Sequence, residues 1–139
     1  MRSSGRSRTS VNSVLYMKTP CELVVGKILP TLRASVVKEL SIKYRMKQSE
    51  IAKSLGITQA SVSQYLSATR GGSTKMLEDF PQITVYARDI SKRISEGETK
   101  YQWYGVLCEA CKEIREDERF CRLHRISANL SGCDICKKR

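Results

Sequence analysis

The most constraining feature of this chain is the stretch 48–66, QSEIAKSLGITQASVSQYL, in which two short apolar patterns with helical spacing meet at a glycine. Gly56 stands where a first helix must end in a left-handed turn, a conformation that suits glycine better than other residues. The Ile57 side chain then packs beneath the turn, and Thr58 provides a hydroxyl N-cap for a second helix. The inner-face residues of the two helices are Ile51, Ala52, Leu55, Val62, Tyr65 and Leu66. The stretch therefore predicts two helices that cross closely over a tight turn.

The outer face of the second helix consists of hydrogen-bonding side chains and one methyl group, without Asp or Glu. These residues are Gln59, Ala60, Ser61, Ser63 and Gln64. Such side chains suit the base edges in the major groove of DNA. Arg70 and Lys75 flank the turn that follows, where we expect them to touch phosphates. An ordinary helical hairpin inside a core is the alternative, and it does not account for this outer face.

With Gln48 opening the first helix and Gln59 opening the second, the segment resembles the helix-turn-helix of phage-repressor-like DNA-binding proteins. The resemblance covers roughly residues 20–70 and implies a bundle of about four or five short helices. It also implies phosphate contacts near Gln48 and base contacts from Gln59, Ser61 and Gln64.

The net charge of +11 at pH 7 is concentrated in two parts of the chain. Residues 27–76 carry 9 basic and 2 acidic side chains, and residues 119–139 carry 6 basic and 1 acidic. Residues 77–118 reverse this balance, with 6 basic and 10 acidic. A basic half fits phosphate contact, whereas the acidic band should face solvent or another subunit. A basic surface that serves only solubility is the alternative.

Helix signals precede and follow this stretch. Thr19 and Pro20 mark the start of a helix that we expect to stop near Pro30, and a second helix should follow from Thr31. Pro81 opens a later helix with an apolar stripe, suited equally to packing on the first domain and to a dimer contact. The inward residues of these helices are Leu23, Val24, Ile28 and Leu29, then Leu32, Val36, Val37 and Leu40, and finally the stripe Ile83, Ala87, Ile90 and Ile94.

The predicted fold is all-α, a helix-turn-helix bundle followed by a helix and a small cysteine-rich module. Gly97 breaks the helical pattern and marks the boundary. From Tyr101 the sequence YQWYGVLCEACKEIREDERF reads as one further helix. The predicted organisation is a disordered basic extension at 1–16, a DNA-binding domain at 17–76, a linking or dimerisation helix at 77–97 and a metal-binding module at 98–139.

Five of the six cysteines and the only histidine lie together in the last part of the chain. They are Cys108, Cys111, Cys121, His124, Cys133 and Cys136. Two CxxC pairs in so short and polar a segment indicate a metal centre. Nearby cations would stabilise the thiolates; they are Lys112, Arg115, Arg119, Arg122, Arg125 and Lys137. Cys21 stands apart, and we interpret it as a small buried residue, with a distant ligand or redox partner as the alternative.

The identity of the metal is left open by the spacing. Tetrahedral zinc takes four ligands and this segment offers six, whereas an iron–sulfur cluster takes three or four cysteines and leaves others exchangeable. We favour an iron–sulfur cluster, with Zn²⁺ as the alternative. The start MKTPCELVV, the helix-turn-helix and the terminal cysteines together resemble a group of archaeal predicted transcriptional regulators from Met17 onward. The resemblance implies a transcription factor whose cluster senses iron or redox state.

The sequence thus predicts a cytoplasmic regulator that binds a pseudo-palindromic operator in double-stranded DNA as a homodimer. No constellation of acid, base and nucleophile indicates an enzyme, and we see no membrane span or signal peptide. A regulator with a purely structural zinc site is the first alternative. An electron carrier or redox enzyme with a nucleic-acid tether is the second.

Overall fold

The computed structural model describes residues 19–67, 73–128 and 131–132, and this part of the chain is built from helices without strands. The all-α prediction is confirmed for it. The elements in chain order are α1 (Pro20–Leu23), a π-helical segment (Val24–Ile28), α2 (Leu29–Ile42), α3 (Gln48–Leu55), α4 (Gln59–Leu66), α5 (Thr74–Asp79), α6 (Gln82–Ser95), α7 (Lys100–Glu116) and α8 (Glu118–Ala128). The predictions made for residues 1–16 and for Arg70 lie outside the described residues.

The first helix begins as its sequence predicts. The Thr19 side chain accepts a hydrogen bond from the Glu22 N–H at 3.3 Å, and the Glu22 carboxylate accepts one from the Thr19 N–H at 2.7 Å. This reciprocal pair is a capping box, and Pro20 occupies the first helical turn, where a missing N–H costs nothing.

The predicted stop near Pro30 is wrong, because the chain stays helical from Pro20 to Ile42. A proline inside an α-helix clashes with the carbonyl four residues earlier and leaves it without a donor. Here the π-helical segment widens the turn before the proline, and the Leu29 N–H bonds to the Val24 carbonyl five residues back. The Thr31 hydroxyl donates to the Lys27 carbonyl at 2.9 Å and so supplies a donor in the same region.

α2 is the central helix of the bundle, and α6 packs along it. Ser91 of α6 is fully buried, and its hydroxyl donates to the Val36 carbonyl of α2 at 3.4 Å. The apolar stripe of α6 is buried within the chain, its residues being Ile83, Ala87, Ile90 and Ile94. Of the two roles that the sequence left open, packing on the first domain is the one that the stripe performs, and it is not available as a dimer contact.

The hydrophobic core is continuous from Leu23 to Phe120 and so extends to both sides of Gly97. Gly97, at φ 85°, ends α6 as predicted. The predicted single helix from Tyr101 is instead divided at Asp117, whose backbone is extended. The Asp117 carboxylate accepts a hydrogen bond from the Arg119 N–H at 2.8 Å, so this residue caps α8 and interrupts the helical run.

Contacts near the start of α8 tie it to the rest of the bundle. The rings of Phe80 and Phe120 meet edge to face with their centroids 6.5 Å apart. The Gln82 amide donates to Asp117 at 3.1 Å. Because Phe80 and Gln82 flank the start of α6, the last described helix is held against the same helix that covers α2.

Candidate nucleic-acid interface and cysteine sites

The turn between α3 and α4 closes through two backbone hydrogen bonds around Gly56. The Gly56 N–H bonds to the Lys53 carbonyl at 3.3 Å, and the Ile57 N–H bonds to the Ala52 carbonyl at 3.0 Å. This pair of bonds is a Schellman motif, and it needs the left-handed conformation that Gly56 adopts at φ 68°. The predicted left-handed turn is therefore confirmed.

Thr58 caps the start of α4 as predicted. Its side-chain oxygen accepts a hydrogen bond from the Ser61 N–H at 3.1 Å, and its hydroxyl lies 2.8 Å from the Ser61 hydroxyl. On the inner face of α4, Val62 and Tyr65 are buried in the core. The turn and the cap together fix the direction in which α4 leaves α3.

The outer face of α4 is open to solvent with one exception. The exposed residues are Gln59, Ala60, Ser63 and Gln64. Ser61, which helical spacing predicts on the same face, is half-buried, and its hydroxyl lies against that of Thr58. Ser61 therefore belongs to the cap more than to the outer face. Gln48, the first residue of α3, is also half-buried.

Exposed cations lie around this pair of helices and after it. They are Lys43, Arg45, Lys47, Lys53 and Lys75. Lys75 contacts Asp79 at 3.2 Å, with 75% of its side chain exposed. A surface ion pair of this kind is worth about 1 kcal/mol or less, so it does not prevent Lys75 from meeting a phosphate. Arg45 has a left-handed backbone at φ 53°, in the turn between α2 and α3.

The first cysteine pair lies on α7, one helical turn apart. Cys108 is exposed and Cys111 is half-buried. Burial raises the pKa of the Cys111 thiol, while the charge of Arg115 and a hydrogen bond from it act in the opposite direction. Arg115 follows Cys111 by four residues and so lies on the same face of the helix. Arg115 is thus a predicted cation that the structure places beside a thiol of this pair.

The expectation that Cys21 is buried is wrong, because this residue is exposed. A negative charge on the Cys21 thiol raises the pKa of Cys111, so the fold brings these two side chains within electrostatic range of each other. The sequence carried no signal for this proximity, because Cys111 follows Cys21 by 90 positions and only tertiary packing joins them.

Cys121 and His124 lie three residues apart on α8, and both are buried. Cys133 and Cys136 lie outside the described residues. Within the described residues, no group of three or more Cys, His, Asp or Glu side chains is arranged to hold a metal. The described donors are two pairs at helical spacing, and thiolate and imidazole are the ligand types of zinc and iron–sulfur sites.

Two of the predicted thiolate-stabilising cations are engaged with carboxylates. Arg119 contacts Asp117 at 2.6 Å, and Arg125 contacts Glu118 at 3.1 Å. Their first role is thus to hold the beginning of α8. Arg119 also lies over the Phe80 ring at 5.8 Å from its centroid, which adds a cation–π contact between α8 and the core.

Comparison of the chain with known protein families, curated proteins and solved structures finds no match. Among the described residues, none of the helices has the length and apolar character needed to cross a membrane.

Proposed function

We propose that this protein is a sequence-specific DNA-binding transcriptional regulator of the helix-turn-helix type. The observation that carries the proposal is the exposed polar face of α4, held at a fixed angle to α3 by the Schellman turn at Gly56 and the cap at Thr58. This face carries two amides, one hydroxyl and a methyl group and no Asp or Glu, so no negative charge opposes its approach to DNA.

In this proposal α4 enters the major groove, and its exposed amides read base edges. The side chains of Gln59 and Gln64 can each pair with an adenine through two hydrogen bonds, and the methyl group of Ala60 can contact that of thymine. The exposed cations Lys47, Lys53 and Lys75 would neutralise phosphates on either side, which makes the affinity dependent on salt. Gln48 and Thr58, at the starts of the two helices, complete the proposed contact surface.

The second part of the proposal is an iron–sulfur cluster held by the cysteines of the C-terminal part. Cys108 and Cys111 would supply one pair of ligands, Cys121 and His124 the donors of α8, and Cys133 and Cys136 the remainder. The support is the number of thiols, which exceeds the four places of a zinc ion, together with the hydrogen bond from Arg115 to Cys111. When bound, the cluster would supply a redox-dependent charge. A structural Zn²⁺ site is the alternative.

We further propose that the protein acts in the cytoplasm as a homodimer on a pseudo-palindromic operator. One short recognition helix reads only a few base pairs, and twofold symmetry doubles the site. Since the stripe of α6 is buried within the chain, the dimer contact must come from another surface. We propose that the C-terminal part supplies it.

The direct test is selection of genomic DNA fragments by the purified protein, followed by sequencing. A regulator should enrich one or a few sites with a shared inverted repeat, and should prefer them over scrambled DNA by about a thousandfold or more. Uniform enrichment, with weak binding that disappears as salt rises, would instead indicate a redox protein with a nucleic-acid tether.

A further inference from the structure

A cleft of about 460 Å³ lies between α2, the turn after α3 and the first half of α7. Its size is within the range of small-molecule sites, which is about 300–1,000 Å³. On one side it is bounded by the turn residues Leu55, Gly56 and Ile57, and Cys108 lies at its edge on the other. The cleft therefore lies between the α3–α4 turn and Cys108, the first of the proposed cluster ligands.

The walls of the cleft are mostly apolar. Leu32 and Val36 come from α2, and Trp103 and Leu107 come from α7. Leu32, Val36 and Trp103 are almost completely buried, so they form a rigid floor, whereas Leu107 is only partly covered. Such a surface favours an aliphatic or aromatic group and offers little to a strongly polar molecule.

The charges at the cleft have one sign. Arg33 lines it, is exposed, and has no hydrogen-bond or ion-pair partner among the described residues. The Lys100 ammonium lies over Gly56, 2.5 Å from the position that a Cβ there would occupy. Among the residues that the structure describes, no Asp or Glu lines the cleft. An apolar cleft with cations at its edge is complementary to an amphipathic anion.

We infer that this cleft binds a small amphipathic carboxylate, with its apolar body against Trp103 and Leu107 and its carboxylate at Arg33 and Lys100. Binding itself is independent of the proposed DNA-binding function. An effect of the ligand on DNA affinity, by contrast, rests on that function. A ligand in the cleft would contact both the α3–α4 turn and α7 and would change the packing of one against the other.

Octanoate is a suitable probe, and Trp103, the only tryptophan, is a built-in fluorophore at the site. Titration of the full-length protein with octanoate should change the Trp103 emission in a saturable manner. Octylammonium, which has the same chain and the opposite charge, should bind at least about tenfold more weakly because it meets Arg33 and Lys100. Equal responses to the two probes would overturn the inference.

Two variants with matched controls locate the site. Arg33→Glu should weaken octanoate binding by about tenfold or more, while Arg88→Glu, on the exposed side of α6, should leave it unchanged. Leu107→Phe should fill the cleft and abolish binding, whereas Leu77→Phe, at a different groove, should not. Thermal unfolding of each variant separates loss of the site from loss of the fold.

The fluorescence titration contains no DNA, so its outcome is independent of the proposed regulator. If octanoate binds but leaves the affinity for the operator unchanged, the cleft is a ligand site that does not regulate DNA binding. Octanoate binding that is unchanged in both Arg33→Glu and Leu107→Phe would place the ligand elsewhere and refute the inference.

Discussion

Gly56 is the residue on which the geometry of the α3–α4 turn depends. An alanine at this position would have to adopt the left-handed conformation, which costs about 1 kcal/mol or more for a residue with a side chain. The new methyl group would also meet the end of the Lys100 side chain, but a flexible ammonium can move away cheaply. We therefore expect Gly56→Ala to lower the free energy of unfolding by about 1 kcal/mol, measured by urea denaturation.

Gly105→Ala is the matched control for this substitution. Gly105 lies within α7, is exposed, and has no atom near the position of an added Cβ. Alanine should stabilise this helix by about 0.5–1 kcal/mol because glycine loses more conformational freedom on folding. A change of the same sign in both variants would contradict the assignment of Gly56 as a conformational requirement.

Asp117 joins three helices, and its charge should make stability depend on pH. Hydrogen bonds from Arg119 hold the pKa of this carboxyl far below its ordinary value, and one from Gln82 adds to the effect. The unfolded chain has the ordinary pKa of about 3.9, so the stabilisation is complete above that value. It is lost as pH falls from there toward the lower pKa of the folded state.

The measurement is the free energy of unfolding of the native chain and of Asp117→Asn at neutral and acidic pH. At neutral pH the variant should be less stable by about 1–2 kcal/mol, because it loses a cap and charge-assisted hydrogen bonds. Below about pH 3 the difference in stability between the two proteins should shrink. At this pH Asp117 of the unmutated chain becomes protonated when the chain unfolds, which favours the unfolded state. A difference that stays constant with pH would show that the charge of Asp117 is not responsible.

At the scale of the helices, α4 is the element whose proposed role is easiest to test. Gln59→Ala and Gln64→Ala should each reduce affinity for the selected operator by about 1–3 kcal/mol, the range for losing a good base contact. Folding should be almost unaffected, because both side chains are exposed. Fluorescence anisotropy with labelled operator gives the affinities, and unchanged values in both variants would refute base reading by α4.

How far the sequence predicts these elements depends on how local their causes are. The turn at Gly56 and the cap at Thr58 are set by residues within a few positions, and both are confirmed. The helix end predicted at Pro30 was wrong. A proline ends a helix unless the preceding turn widens, and the spacing of the residues does not indicate a π-helical segment. The stripe of α6 was recognisable as buried, but an apolar face does not say which surface covers it.

The candidate sites follow the same division. The exposed amides of α4 were identifiable from helical periodicity alone. Ser61 was misplaced because its hydroxyl meets Thr58, a choice between cap and surface that periodicity does not decide. Cys21 came near Cys111 only through the packing of the whole bundle, which no short-range pattern contains.

At the scale of the whole molecule, the oligomeric state is the first test. We expect a homodimer on the operator, because twofold symmetry is the usual remedy for the small site that one recognition helix reads. Light scattering of the protein, free and bound to a selected operator, measures this directly. A monomer in both states would rule the dimer out.

The cofactor is the second test at this scale. Protein purified without oxygen should be brown with broad absorption near about 400 nm if it carries iron and sulfide, whereas zinc would leave it colourless. Cys108→Ser and Cys111→Ser should bleach it. Cys21→Ser is the matched control and should keep the colour, since Cys21 is not among the proposed ligands; bleaching in this variant would add Cys21 to them.

If the cluster is a sensor, its oxidation or removal should change operator affinity by about 1–3 kcal/mol, a typical coupling between two sites. Fluorescence anisotropy before and after treatment with oxidant measures this change in affinity. The affinity of untreated Gln64→Ala gives, for comparison, the effect of losing one direct base contact. A colourless protein with stoichiometric zinc, whose affinity ignores oxidant, would leave only a structural metal site.

The π-helical segment also bears on how related chains can be read. A π turn takes in one residue more than an α turn for about the same rotation, so the helix faces before and after it keep their relative directions. A homologue that lacks one residue between Leu23 and Leu29 and forms a regular α-helix there would therefore present the residue matching Cys21 on the same side. A one-residue gap in this segment is thus compatible with a conserved position for that cysteine.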